Sequence, residues 1–147
     1  MGIRLDDEAR RLLAVFDAMT DGHATDCLVD DETVVFVVPP EHMAAAIGPD
    51  GRTVRQLEER IDRQVVLIEA ADRAEDFIAN AFAPAAVYEV EVENDRAVAA
   101  VDEADLGVAI GSNGARINRV RRLAARHFDI EAVEIEGVSS DSANEDA

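Results

Sequence analysis

Two short segments carry the residue types that hold a ligand through backbone rather than side-chain chemistry. They are Ile47-Gly48-Pro49-Asp50-Gly51 and Ile110-Gly111-Ser112-Asn113-Gly114, the second lying 63 positions after the first. The apolar positions that follow also correspond, Val54 with Ile117 and Leu57 with Val120. Glycine at both corners lets a chain reverse between two helices without a side chain blocking a ligand. A helix starting just beyond has unsatisfied N–H groups directed at the loop, an arrangement that attracts phosphate oxygens. One such Gly-x-x-Gly, taken singly, reads as a tight helix-turn-helix joint. Two of them at the same point of a repeated pattern point to binding of a phosphate backbone.

Other chemistries have little to build on. The single cysteine, Cys27, reads as a buried strand residue, and His23, His42 and His127 are too scattered to show metal-ligand spacing, so no metal or cofactor is expected. Glu89, Glu91 and Glu93 fall on one face of an alternating segment, with Tyr88, Val90 and Val92 on the other, and read as a solvated outer face. The chain contains no lysine, which excludes a Schiff-base amine and a Walker-type phosphate lysine, and no nucleophile elbow is present. We therefore expect neither an enzyme nor a small-molecule substrate.

The elements that would position the loops follow from periodicity. Ala9, Leu12, Leu13 and Phe16 give Asp6–Met19 the spacing of a helix with one buried stripe. Strands are expected over Asp26–Val29 and Thr33–Val38, joined by a polar turn at Asp30-Asp31. Helices follow over Glu41–Ile47 and Arg52–Ile61, then a strand over Gln64–Glu69. The order then repeats: helix Asp72–Phe82, strands Val87–Glu93 and Arg96–Val101, helices Glu103–Ile110 and Ala115–His127, strand Ile130–Glu136. This predicts an α+β protein with two tandem units, residues 1–70 and 71–137, followed by a disordered acidic tail over 138–147.

The 147-residue chain carries thirty-two acidic and fourteen basic residues, all of the latter arginine, for a net charge of −18. Such a balance ordinarily argues against a nucleic-acid partner. Strong acidity, few aromatics and missing lysine together resemble the proteins of extreme halophiles. In molar salt the screening length falls to about 3 Å, so a global negative field hardly opposes RNA. No run of apolar residues is long enough to cross a membrane, and the charged amino terminus does not read as a secretory signal, so a cytoplasmic location is expected.

The paired loops, their flanking helices and the repeated α-β-β-α-α-β order resemble type II KH domains, and their tandem arrangement resembles the archaeal NusA-like transcription termination factors. The resemblance spans roughly residues 5 to 137. It implies that each loop clamps the backbone of about four nucleotides of single-stranded RNA while an adjacent groove accepts the bases. It also implies a nascent transcript as ligand, RNA polymerase as partner, and a part in termination or antitermination. The contact residues it suggests are Ile47, Gly48, Gly51, Arg52 and Arg55 in the first copy. In the second they are Ile110, Gly111, Ser112, Asn113, Gly114, Arg116 and Arg119.

The two copies are not equal. Family loops commonly carry lysine or arginine between the glycines, whereas here Pro49 lacks an N–H and Asp50 shares the sign of phosphate. From Gly111 to His127 there are five arginines and no acid, and a spacing of about 100° per residue puts Arg119, Arg122 and Arg126 opposite the stripe of Ile117, Val120, Leu123 and Ala124. The matching first-copy helix has Arg52, Arg55, Arg60 and Arg63 offset by Glu58, Glu59 and Asp62. The second copy is thus expected to supply more of the RNA affinity. Two other readings stand beside this one: a protein-binding adaptor whose KH fold docks on polymerase or a ribosomal partner, and a ribosome-assembly factor.

Overall fold

The computed structural model describes residues 6–30 and 32–139. The chain divides into two compact units between Ala71 and Asp72. In the first, α1 (Asp7–Met19) precedes β1 (Asp26–Val29), β2 (Thr33–Val38), α2 (Pro40–Ile47), α3 (Arg52–Ile61) and β3 (Gln64–Glu69). In the second, α4 (Ala74–Phe82) precedes β4 (Val87–Glu93), β5 (Arg96–Asp102), α5 (Leu106–Ile110), α6 (Ala115–Phe128) and β6 (Ala132–Val138). Each has the α-β-β-α-α-β order expected from the sequence. The sheet orders are β1-β2-β3 and β4-β5-β6, the middle strand antiparallel to the first and parallel to the third.

The apolar patterning explains the packing. Asp6 caps α1 by accepting from the Ala9 N–H at 2.8 Å, and Ala9 and Phe16 turn inward. Phe16 meets Phe36 of β2 at a ring-centroid distance of 4.7 Å. Around this pair gather Val34, Val38, Ala46 and Leu57, so α1, α2 and α3 share one core with the sheet. In the second unit Phe77, Ile78, Ala81 and Phe82 of α4 are buried, together with Ala97, Ala99 and Val101 of β5 and Val120, Leu123 and Ala124 of α6.

Several boundaries differ from the periodicity. α4 starts at Ala74, not Asp72, because Arg73 holds an extended backbone and bonds Glu75 at 2.6 Å. The first turn of the predicted Glu103–Ile110 helix is a 3₁₀ turn, Glu103–Asp105, capped by the Asp102 carboxylate. β6 begins two residues late, since the left-handed Asp129 closes α6 and the Ile130 N–H returns to the Ala124 carbonyl, burying Ile130 beneath the helix end. At its far end β6 runs through Val138, paired with Asp102, so this first residue of the expected tail is sheet. Residues 140–147 of that tail, and Asp31 of the expected turn, lie outside the described residues.

Tyr88 departs most. A register shift between Val87 and Glu89 turns it out of the alternation, leaving it 47% exposed rather than sharing the face of Val90 and Val92. Its hydroxyl donates to Asp102 at 2.5 Å.

Candidate nucleic-acid interface

The loops adopt one conformation twice. Gly48 (φ 76, ψ 173) matches Gly111 (φ 79, ψ 169), and Gly51 (φ 74, ψ 16) matches Gly114 (φ 76, ψ 16). Both close through a bond from the second glycine's N–H to the first glycine's carbonyl at 3.1 Å. The first glycine sits in a region almost reserved for glycine. A side chain at Gly111 would begin 2.7 Å from the Arg116 backbone nitrogen, and one at Gly48 2.8 Å from that of Thr53.

Asp50 (φ 54, ψ 29) and Asn113 (φ 56, ψ 28) are left-handed too. Asp and Asn tolerate that region better than other non-glycine residues, so both fit a dihedral requirement as well as an electrostatic role. The positive φ at this position is the signal that reading Asp50 by charge alone misses.

Neither α3 nor α6 has a side-chain cap, in contrast to α1, and their N-cap residues are the glycines of the loops. The last residues of α2 and α5, Ile47 and Ile110, are 40% and 42% exposed beside those loops, although both are large and apolar. Each unit thus joins a glycine loop, a helix start without a side-chain cap and an exposed isoleucine, the first helical N–H being bonded within the loop, from Arg52 to the Pro49 carbonyl and from Ala115 to that of Ser112.

The cations are placed differently in the two units. Arg52 and Arg55 are exposed, and the Arg55 Nη1 folds back to donate to the loop carbonyl of Asp50 at 2.8 Å. Arg116 donates through Nη1 to the Val108 carbonyl of α5, bracing the two helices across the second loop. Arg121 donates through Nε to the Val133 carbonyl of β6 at 3.2 Å and through Nη1 to the Asn118 Oδ1 at 3.3 Å. In the first unit Glu58, at the position matching Arg121, accepts the Val65 N–H at 3.0 Å. Among the described residues, Arg116 and Arg121 bond carbonyl and amide oxygens rather than a carboxylate.

Arg119 corrects the helical-wheel expectation. It is 8% exposed rather than outward-facing, because α6 packs against α4 as well as the sheet and its covered arc is wider than one stripe. Its long stem suits such a half-apolar boundary. Arg122 is exposed and Arg126 half-buried. α6 is also longer than α3, 14 residues against 10, and its extra turn places His127 and Phe128 against Phe77 at 5.3 and 5.4 Å.

Among the described residues no group of three or more His, Cys, Asp or Glu is arranged for a metal ion, and no helix is long and apolar enough to cross a membrane.

Residues 74–137 match the family model described as the NusA-like second KH domain. The chain is 54% identical over 138 residues to a probable transcription termination protein NusA of Halobacterium salinarum, covering 92% of this chain and 99% of the relative. The protein of that description from Halococcus morrhuae is 51% identical over the same shares, and that of Methanococcus vannielii 32% identical over 98% of this chain and 86% of the relative. The crystal structure of APE1850 superposes with a TM-score of 0.75 at 28% identity, covering 90% of this chain and all of that one.

Proposed function

Given that the chain belongs to the NusA-like transcription termination proteins of archaea, we propose that it is a single-stranded RNA-binding transcription factor. It acts with RNA polymerase on the nascent transcript, in termination or antitermination. The observation that carries this is the twofold recurrence of one loop conformation, each copy opening an uncapped helix beside an exposed isoleucine. Backbone N–H groups at such a helix start suit a phosphate, and the exposed isoleucines offer apolar surface to a base. Gly48, Gly51, Gly111 and Gly114 shape the loops. Ser112, Asn113 and Arg116 line the second loop, and Arg52 and Arg55 flank the first. The function requires no catalytic step.

The second unit supplies more of the affinity. Its loop pair is neutral and its helix carries Arg121 and Arg122, where the first unit has Pro49-Asp50 and Glu58-Glu59 at the matching positions. In concentrated salt, counterion release contributes little, and loop N–H bonds and apolar contacts carry relatively more of the binding.

The test is a pair of loop variants, S112D/N113D and P49D, with RNA affinity measured in molar salt and polymerase association measured separately. We expect S112D/N113D to lose roughly tenfold or more in affinity, about 1.4 kcal/mol, and P49D to lose much less. An equal or larger loss from P49D rejects the asymmetry. Unchanged RNA binding by both variants, with polymerase association intact, favours a protein adaptor instead.

A further inference from the structure

We infer that Asn118 is a phosphate-binding residue of the second loop and that Arg121 orients it. The inference deepens the RNA-binding function and rests on it. Asn118 lies four residues after Gly114, on the first turns of α6, and its side chain is exposed. Its Nδ2 stands 3.4 Å from the point where a side chain on Gly114 would begin, so the amide occupies the space over the loop that the glycine leaves open.

The orientation of that amide is dictated by Arg121. A guanidinium has only donors, so the amide must turn its oxygen toward it. The Arg121 Nη1 donates to the Asn118 Oδ1 at 3.3 Å, and its Nε is anchored on the Val133 carbonyl of β6 at 3.2 Å. With its acceptor engaged, Asn118 presents an NH₂ group to the loop. A group that offers only donors selects an acceptor, and at the amino-terminal end of a helix without a side-chain cap the acceptor that fits is a phosphate oxygen.

The first unit provides the internal comparison. The matching residue, four after Gly51, is Arg55, whose Nη1 lies 3.5 Å from the corresponding point over Gly51. There the donor is bonded to the Asp50 carbonyl at 2.8 Å. Both units thus carry a side-chain donor over the second glycine; in the first it is bonded to the loop carbonyl, and in the second it is the Asn118 amide NH₂.

The test uses the full chain and labelled single-stranded RNAs of about twelve nucleotides, longer than the four or so that one loop holds, in oligouridylate, oligoadenylate and mixed sequences. N118D keeps an acceptor for Arg121 but removes the donor and adds a negative charge, on an exposed position that leaves the core untouched. We expect it to weaken binding roughly tenfold, and N118A a few-fold, by similar factors for all three RNAs. R121Q should weaken binding about as much as N118A, with the double variant no worse than either single one. Because R121Q acts chiefly through Asn118, it should lower the salt slope of binding by well under the value of about 0.7 that a direct phosphate contact contributes.

Wild-type affinity in N118D overturns the inference, as does a loss confined to one RNA sequence, which would mark a base contact. Additive losses in the double variant, or a slope reduced by the full value of about 0.7 in R121Q, overturn the positioning role of Arg121. Failure of the wild-type chain to bind any of the RNAs overturns the RNA-binding function itself, and is thereby distinguishable from failure at Asn118.

Discussion

Glu58 and Arg121 do the same structural work with opposite charge. Each stands seven residues beyond the second glycine of its loop and ties the second helix of its pair to the third strand, Glu58 by accepting the Val65 N–H and Arg121 by donating to the Val133 carbonyl. Val65 and Val133 are themselves matched, pairing with Val34 and Ala97 on the central strands. A strand presents both donors and acceptors along its edge, so either sign of side chain can brace it. The fold is indifferent to the choice; a polyanion is not.

A charge exchange on this relationship should therefore separate affinity from stability. In R121E/R122E, RNA affinity in molar salt is expected to fall by roughly tenfold or more, about 1.4 kcal/mol, while E58Q/E59Q leaves it unchanged or slightly raised. Fluorescence anisotropy titrations of the two variants check this, and equal losses would contradict it.

The two glycines of a loop should differ in what they tolerate. Gly111→Ala brings a carbon to 2.7 Å from the Arg116 nitrogen at a backbone conformation nearly exclusive to glycine, and should cost about 3 kcal/mol. Gly114→Asn keeps a left-handed conformation that asparagine accepts, and should cost about 1 kcal/mol or less. Denaturant unfolding of both variants measures the difference.

Asp102 predicts an acid-side dependence. The hydrogen bond from the Tyr88 hydroxyl, with a smaller part from the Ala104 N–H, holds its carboxyl below the usual carboxylate range. A depressed carboxylate contributes stability that is present above its unfolded pKa and lost as pH falls through the lowered folded value. Tyr88→Phe should move the Asp102 titration upward, so that the 3₁₀ turn before α5 loses its charged cap at a higher pH. Carboxyl carbon chemical shifts followed against pH read this directly.

The extra turn of α6 should depend on Phe77. Removing this ring, 2% exposed and packed on His127 and Phe128, should destabilise the second unit by about 3 kcal/mol in Phe77→Ala. Amide exchange should then quicken at the carboxyl end of α6 before it does in the first unit.

Much of this protein is determined locally. The stripe Ala9, Leu12, Leu13, Phe16, the run Val34–Val38 and the twice-written Ile-Gly-x-x-Gly specify helix, central strand and loop through period and glycine freedom, properties that each short segment carries in itself. The family resemblance rests on these same segments, which is why it was legible before any contact was known. Arg119, Tyr88, Ile130 and Asn118 were not legible in that way. A helical wheel assumes one buried stripe, and α6 is covered from two sides, which draws Arg119 inward. Strict alternation assumes an unbroken ladder, and the shift at Val87 turns Tyr88 toward Asp102. The arrest of α6 at Asp129, four positions beyond where the first copy would end the helix, buries Ile130. Asn118 owes its proposed part to Val133, on a strand fifteen residues away, whose carbonyl anchors the arginine that turns its amide. Periodicity records which face a residue prefers. Which side chain, strand or helix meets that face is decided by contacts between segments distant in sequence, and those exist only in the folded chain.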